Sequence, residues 1–270
     1  MKYKPGIGGT PDLSLRVSVA MLVRVVFRHP RNGEWMLALE RKATLHNTGV
    51  EVKSQPFGGA IRILDLDAMH NLIGDFHFDS ERSRSEQDFR LFIRPSSWSV
   101  LREFSIQRLS LVDDSILETD PKRELVEEFG DALKINLLPE QYVSKPVATV
   151  VEDEAAPTEN IHARGIPTVR VYRIFETHIT DASLTDIILK NSDSISHGDL
   201  SELALKDAQH GGKGRANAIL ALPVKRISDF YVAMSPKERN VPILFKENRL
   251  DETVSAVLED IPVPKYQRIL

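Results

Sequence analysis

The stretch Asp120-Pro121-Lys122-Arg123-Glu124-Leu125-Val126-Glu127-Glu128-Phe129-Gly130-Asp131-Ala132-Leu133 reads as a helix with its own punctuation. Asp120 suits the N-terminal cap. Pro121 suits the first helical position, where the amide hydrogen it lacks would be unpaired anyway. Gly130 stands where a left-handed C-terminal cap is expected. Leu125, Val126 and Phe129 form one apolar stripe. Glu124, Glu127 and Glu128 fall at i, i+3 and i+4 on another face, where like charges cost about 0.2–0.5 kcal/mol per pair. A hard divalent cation reverses that cost, because it takes oxygen ligands. Arg123, next to Glu124 and four before Glu127, can orient a carboxylate through its planar fork. By itself a Glu-Glu pair on a helix reads as solvated charge; the whole string is far more specific.

That string resembles the second half of the Nudix box, G-x5-E-x7-R-E-φ-x-E-E-x-G-φ with φ apolar, the signature of the Nudix hydrolases. Arg123, Glu124, Leu125, Glu127, Glu128 and Gly130 match. The first half does not: the box glycine falls on Leu109 and the box glutamate on Ser115, and Asp131 takes the final apolar position. The resemblance implies an α/β (α+β) fold, a mixed β-sheet sandwiched between helices, in a single domain over residues 1–270. It is also similar to a bacterial Nudix subgroup, associated with nucleotide-second-messenger defence systems, that has a long interval before a degenerate Arg-Glu-φ-x-Glu-Glu helix.

Upstream, Pro56-Phe57-Gly58-Gly59 follows an extended segment, and two glycines there suggest close backbone approach or a positive-φ turn. Nudix domains commonly carry Pro-Gly-Gly before the box helix, where a backbone carbonyl joins the metal shell. The resemblance therefore places Gly58 and Gly59 beside the metal, with Phe57 inserted. Residues 64–112 then intervene as an insertion. Within it, Asp75 to Gln87 is polar and reads as a mobile loop. Asp88 to Arg94 alternates like a strand, and Trp98 to Leu109 fits a helix.

Residues 1 to 15 read as an irregular arm. Val17 to Phe27 is strand-like, Asn32-Gly33 favours a tight hairpin, and Trp35 to Glu40 returns. After the helix, Tyr142 to Val151 is strand-like and Glu152-Asp153-Glu154 reads as a solvated loop. Arg164-Gly165 turns into a strong strand from Thr168 to Thr177. Residues 178 to 217 are polar. There, His210-Gly211-Gly212-Lys213-Gly214-Arg215 has the composition of a phosphate-cradling loop without the Walker spacing, making Lys213 and Arg215 candidate substrate contacts. Ala218 to Val224 is the last clear strand, then Val224 to Met234 fits a helix. The tail, about 236–270, reads as helical, with a helix at Leu250 to Leu258. Nudix domains often place a late acid before the closing strand. Glu202 fits best by order, with Glu154 and Glu159 as competitors.

The 270 residues, 41% hydrophobic and 27% charged, are ordinary for a globular protein. A net charge of -4 gives no reason to expect a nucleic acid or an anionic membrane as partner. No cysteine is present, so disulfides and thiolate metal sites are excluded. There is no spanning apolar run or secretion signal, which leads to an expected cytoplasmic location. A homodimer is left open.

Hydrolysing a pyrophosphate requires water activation and neutralisation of developing charge, and divalent ions do both. The resemblance implies Mg2+ or Mn2+ held by Glu127 and Glu128. It makes Glu124 the third ligand or the base, oriented by Arg123, with a nucleotide-type small molecule as substrate. No zinc-type histidine spacing and no Gly-x-Ser-x-Gly elbow compete. A second reading keeps the fold as a nucleotide-binding sensor, weakly active or inactive, and the absent box glutamate favours it.

Overall fold

In the computed structural model, the described residues are 13–158, 163–224, 243–245, 248–250, 252–257 and 267–269. In chain order the strands are β1 (Leu15–Arg28), β2 (Trp35–His46), β3 (Gly49–Gln55), β4 (His77–Phe78), β5 (Arg90–Ile93), β6 (Tyr142–Pro157), β7 (Pro167–Ile179), β8 (Arg215–Pro223), β9 (Ile243–Phe245), β10 (Asn248–Leu250) and β11 (Gln267–Ile269). The helices are α1 (Leu66–Ile73), α2 (Glu81–Glu86), α3 (Trp98–Leu109), α4 (Lys122–Leu133), α5 (Ala182–Ser194) and α6 (His197–Gln209). The class is mixed α and β, with parallel and antiparallel pairs in one sheet.

β1 is the spine. Its residues alternate between two faces, as a strand's period of two requires. Val17, Val19, Met21, Val23, Val25 and Phe27 enter the main core, while Ala20 and Leu22 join a smaller cluster behind the sheet. One edge pairs in parallel with β7 from Arg16 to Val26. The other edge has three successive partners. These are β5 at Leu15–Ser18, the glycine segment through Ala20↔Ala60 and Val23↔Phe57, and β2 at Val25–Arg28.

Helices cover both faces. Met69 of α1, Leu101 of α3, Leu125 and Phe129 of α4 and Leu184 and Ile188 of α5 share the main core. Leu200 and Ala204 of α6 pack on Ala43, Val52 and Ala218 on the opposite face. α5 also protects a strand edge, which would otherwise be a template for pairing with another chain. Asn191 Oδ1 accepts the Ile219 amide at 2.7 Å and Ser192 Oγ that of Ala221 at 2.9 Å.

Several elements differ from the sequence reading. α4 does not stop at Gly130; it runs to Leu133, and Lys134 is the left-handed residue, its amide donating to the Gly130 carbonyl at 3.0 Å. The extra turn buries Ala132, and that packing outweighs the roughly 1 kcal/mol a helical glycine costs. The returning strand passes Glu40 and continues to His46. The segment 75–87 is not a loose loop: Asp79 and Ser83 are buried, and α2 is capped by Ser80. Glu152 is not solvated either. It lies inside β6, buried, with Arg170 at 2.7 Å. The polar stretch 178–217 folds mostly as α5 and α6. In the tail the described residues form β9, β10, β11 and a 3-10 helix at Glu252–Val257, which falls within the helix expected over Leu250 to Leu258. Residues 1–12, Glu159 and most of the expected helix at 224–234 lie outside the described residues.

Candidate functional site

Sixty-three residues separate Gly59 from Arg123, and the backbone cancels that distance. The chain leaves the glycine segment after Ile63 and returns at Asp88–Phe89, where the Phe89 amide donates to the Ile61 carbonyl at 2.8 Å. It leaves again through α3 and returns at Leu117–Glu118, with Ile63 bridged to Leu117 and the Glu118 amide on the Arg62 carbonyl at 3.0 Å. α4 starts four residues later. The two excursions thus deliver α4 to the end of the glycine segment as if they were absent. Phe57 completes the junction, its ring stacked on Phe129 at 4.8 Å.

Gly58 needs to be glycine. Its φ is +116°, and a Cβ there would collide with the Met21 carbonyl oxygen. The turn lets the Gly58 amide donate to Glu128 Oε2 at 2.6 Å. A Cβ on Gly59 would lie 2.7 Å from Glu124 Oε2, so this residue packs directly under that carboxylate.

β2 supplies the floor. The strand period puts Glu40, Lys42 and Thr44 on the face below α4, with Gln55 opposite Glu40 on β3 and Asn217 opposite Lys42 on β8. Lys42 Nζ lies 2.5 Å from Glu40 Oε2 and 3.3 Å from Glu128 Oε1. Gln55 and Asn217 each donate to Glu40 at 3.2 Å. Glu40 is fully buried and Glu128 is 7% exposed. Burial, then the charge of Glu40, holds the Glu128 carboxyl well above the usual carboxylate range, with Lys42 and the Gly58 amide opposing. Burial alone would lower the Lys42 ammonium, but Glu40 and Glu128 outweigh it and leave it raised.

On the next turn, Arg123 gathers three acids: Glu118 at 2.7 Å, Glu124 at 2.6 Å and Glu127 at 3.2 Å. Its hydrogen bond to Glu118 is the main reason its guanidinium is held above its ordinary value. Burial raises the Glu124 carboxyl despite Arg123.

Apart from Glu118, these groups line one cleft of about 850 Å3, within the roughly 300–1,000 Å3 usual for small-molecule sites. Glu124, Glu127, Glu128, Arg123, Gly58, Gly59, Lys213 and Arg215 all reach it. Asp207 anchors the loop carrying the last two, accepting the Arg215 amide at 3.1 Å. Glu202 and Glu154 are not in its lining. Glu202 lies on exposed α6 surface and pairs with Lys206 at 2.6 Å. Its i,i+4 spacing to Lys206 was visible in the sequence and points to a solvated helix pair. Glu40, Lys42, Glu118 and Arg62 were missed. The alternation Glu40-Lys42-Thr44 was the available signal, had the strand been extended.

Carboxylate oxygens are hard donors that suit Mg2+ or Mn2+ in kind. In the described structure their nearest cations are Lys42 and Arg123, and among the described residues no three His, Cys, Asp or Glu side chains gather as a metal-holding group. No protein-family model, curated protein or solved structure matches the chain.

Proposed function

We propose that the chain is a divalent-metal-dependent hydrolase of the Nudix type, cleaving the pyrophosphate linkage of a nucleoside diphosphate joined to another moiety. The observation carrying this reading is the convergence of Glu124, Glu127 and Glu128 with Gly58 and Gly59 on one cleft, across two long excursions of the chain. The lining matches the chemistry of such a ligand. It holds as many basic side chains as carboxylates, so oxygen donors for a cation lie beside donors for phosphate. Glu124, Glu127 and Glu128 would hold Mg2+ or Mn2+. The bound ion would polarise phosphoryl oxygens and acidify water. Glu124, half-buried and fixed by Arg123, has the raised carboxyl that favours a general base. Lys213 and Arg215 would neutralise phosphate at the cleft's other wall.

A nucleotide-binding module without turnover is the second reading. Two observations favour it: Lys42 already neutralises Glu128, and the box-glutamate position holds exposed Ser115. The test is a Mg2+-dependent hydrolysis screen over ADP-ribose, dinucleotides, nucleotide sugars and nucleoside triphosphates, with Glu128→Gln beside the wild type. Turnover should fall at least about a hundredfold in the variant, on the order of 2.7 kcal/mol of barrier. Turnover equal in both proteins removes Glu128 from the machinery. Binding without turnover across the panel selects the second reading.

A further inference from the structure

Among the described residues, Arg41, Arg62 and Arg173 each have a buried Nε without a hydrogen-bond partner. Two of them use their terminal nitrogens. Arg41 donates to the Ile195 carbonyl and Arg173 to the Thr149 hydroxyl. Arg62 differs. Among the described residues its guanidinium has no hydrogen bond and no ion pair, although it lines the cleft with eight acids. Its backbone is pinned on both sides, to Asp88 by a bridge and to the Glu118 amide. The side chain is therefore presented from a fixed base at the point where both excursions rejoin the glycine segment. A guanidinium nitrogen removed from water without a partner is costly, and such a group calls for an explanation.

We infer that Arg62 anchors a phosphoryl oxyanion of the ligand in this cleft, beside the wall built by the insertion. The inference rests on reading the cleft as a phosphate site. A planar fork with unused donors matches a phosphate group, which supplies several acceptor oxygens at once. Neighbouring basic residues on that wall are already committed: Arg82 holds Glu86 at 2.9 Å and Arg90 holds Asp88 at 3.0 Å. Arg62, beside that wall, is the one left for a ligand among the described residues. Through the Asp88 bridge the insertion then positions Arg62 and does more than lengthen the chain.

Inorganic pyrophosphate is the probe, titrated calorimetrically without divalent ions into wild type, Arg62→Gln, Arg62→Lys and Arg84→Gln. Arg84 is an exposed α2 residue outside the cleft and serves as control. Thermal denaturation confirms that each variant is folded. Affinity should fall at least about tenfold in Arg62→Gln, as expected when a charge-assisted hydrogen bond is lost. Arg62→Lys should fall between, keeping charge without the fork, and Arg84→Gln should match wild type. Binding by Arg62→Gln within about twofold of wild type overturns the inference, as does wild-type binding no tighter than about 10 mM. Should Arg62→Gln fail to fold, Arg62→Lys decides: affinity equal to wild type overturns the fork, and reduced affinity supports it. Pyrophosphate binding that depends on Arg62, with no turnover of any substrate, sinks the hydrolase and leaves Arg62 in place. Turnover with pyrophosphate binding indifferent to Arg62 does the reverse.

Discussion

Lys42 and Glu128 divide the work of one buried charge cluster, and pH separates them. Three groups share it: Glu40 and Glu128, both buried, and a lysine whose side chain is 36% exposed at the cleft. A carboxyl whose folded pKa lies above its unfolded value favours folding while protonated. Its contribution is full below the unfolded value, near 4.5, and is lost as pH rises through the higher folded value. Glu128 is such a group. Glu128→Gln imitates the protonated form, since its amide can still accept from Gly58 and donate to Glu40. Without metal, the variant should match wild type in denaturant midpoint near pH 4 and become the more stable protein as pH rises above 4.5 toward neutrality. Urea melts across that range read the effect directly. A constant offset at all pH values would show that Glu128 does not titrate in this environment.

The glycine segment and α4 form the working element, and two adjacent substitutions should act on it differently. Gly58→Ala meets backbone, the Met21 carbonyl, at a positive φ of +116°. It should lower stability by about 2 kcal/mol or more, since neither the strand nor the turn can yield cheaply. Gly59→Ala meets the end of a flexible side chain, Glu124. Its melting temperature should stay near wild type, while any hydrolytic activity falls because Glu124 is displaced. Equal melting losses would mean that Glu124 is as fixed as backbone. This element was legible in the sequence because its information is local: caps, an apolar stripe and paired glycines within short windows. β1, β7 and α3 were legible for the same reason. The cleft floor was not, because Glu40-Arg41-Lys42 reads as solvated charge until β3 and β8 place Gln55 and Asn217 beside it. α5 and α6 were hidden by sparse patterns, with two large buried apolar side chains in one, Leu184 and Ile188, and one in the other, Leu200. Gly130 misled because a local cap signal was overridden by the burial of Ala132.

At the scale of the molecule, the insertion is locked to the spine by a charge pair. Asp79, on the first excursion, accepts from both Nε and a terminal nitrogen of Arg16 on β1, at 3.0 and 2.7 Å. Ser83 donates to its other oxygen at 2.7 Å. Both ionic side chains are at most 4% exposed. Burial lowers the Arg16 guanidinium even though Asp79 opposes it. Removing one partner of such a pair leaves an uncompensated buried charge, and that typically costs about 3–5 kcal/mol. Asp79→Ala should therefore lose several kcal/mol in urea unfolding, far more than the roughly 0–1 kcal/mol of a surface pair. The double variant Arg16→Met with Asp79→Leu should recover most of the loss, because two apolar side chains replace two charges of similar bulk. The same excursion ends at Asp88, whose bridge holds the Arg62 backbone, so Asp79→Ala should also weaken pyrophosphate binding while the double variant restores stability more fully than affinity. If Asp79→Ala cost less than about 1 kcal/mol, the insertion would be an appendage resting on the sheet, and it would not hold Arg62 where the ligand needs it.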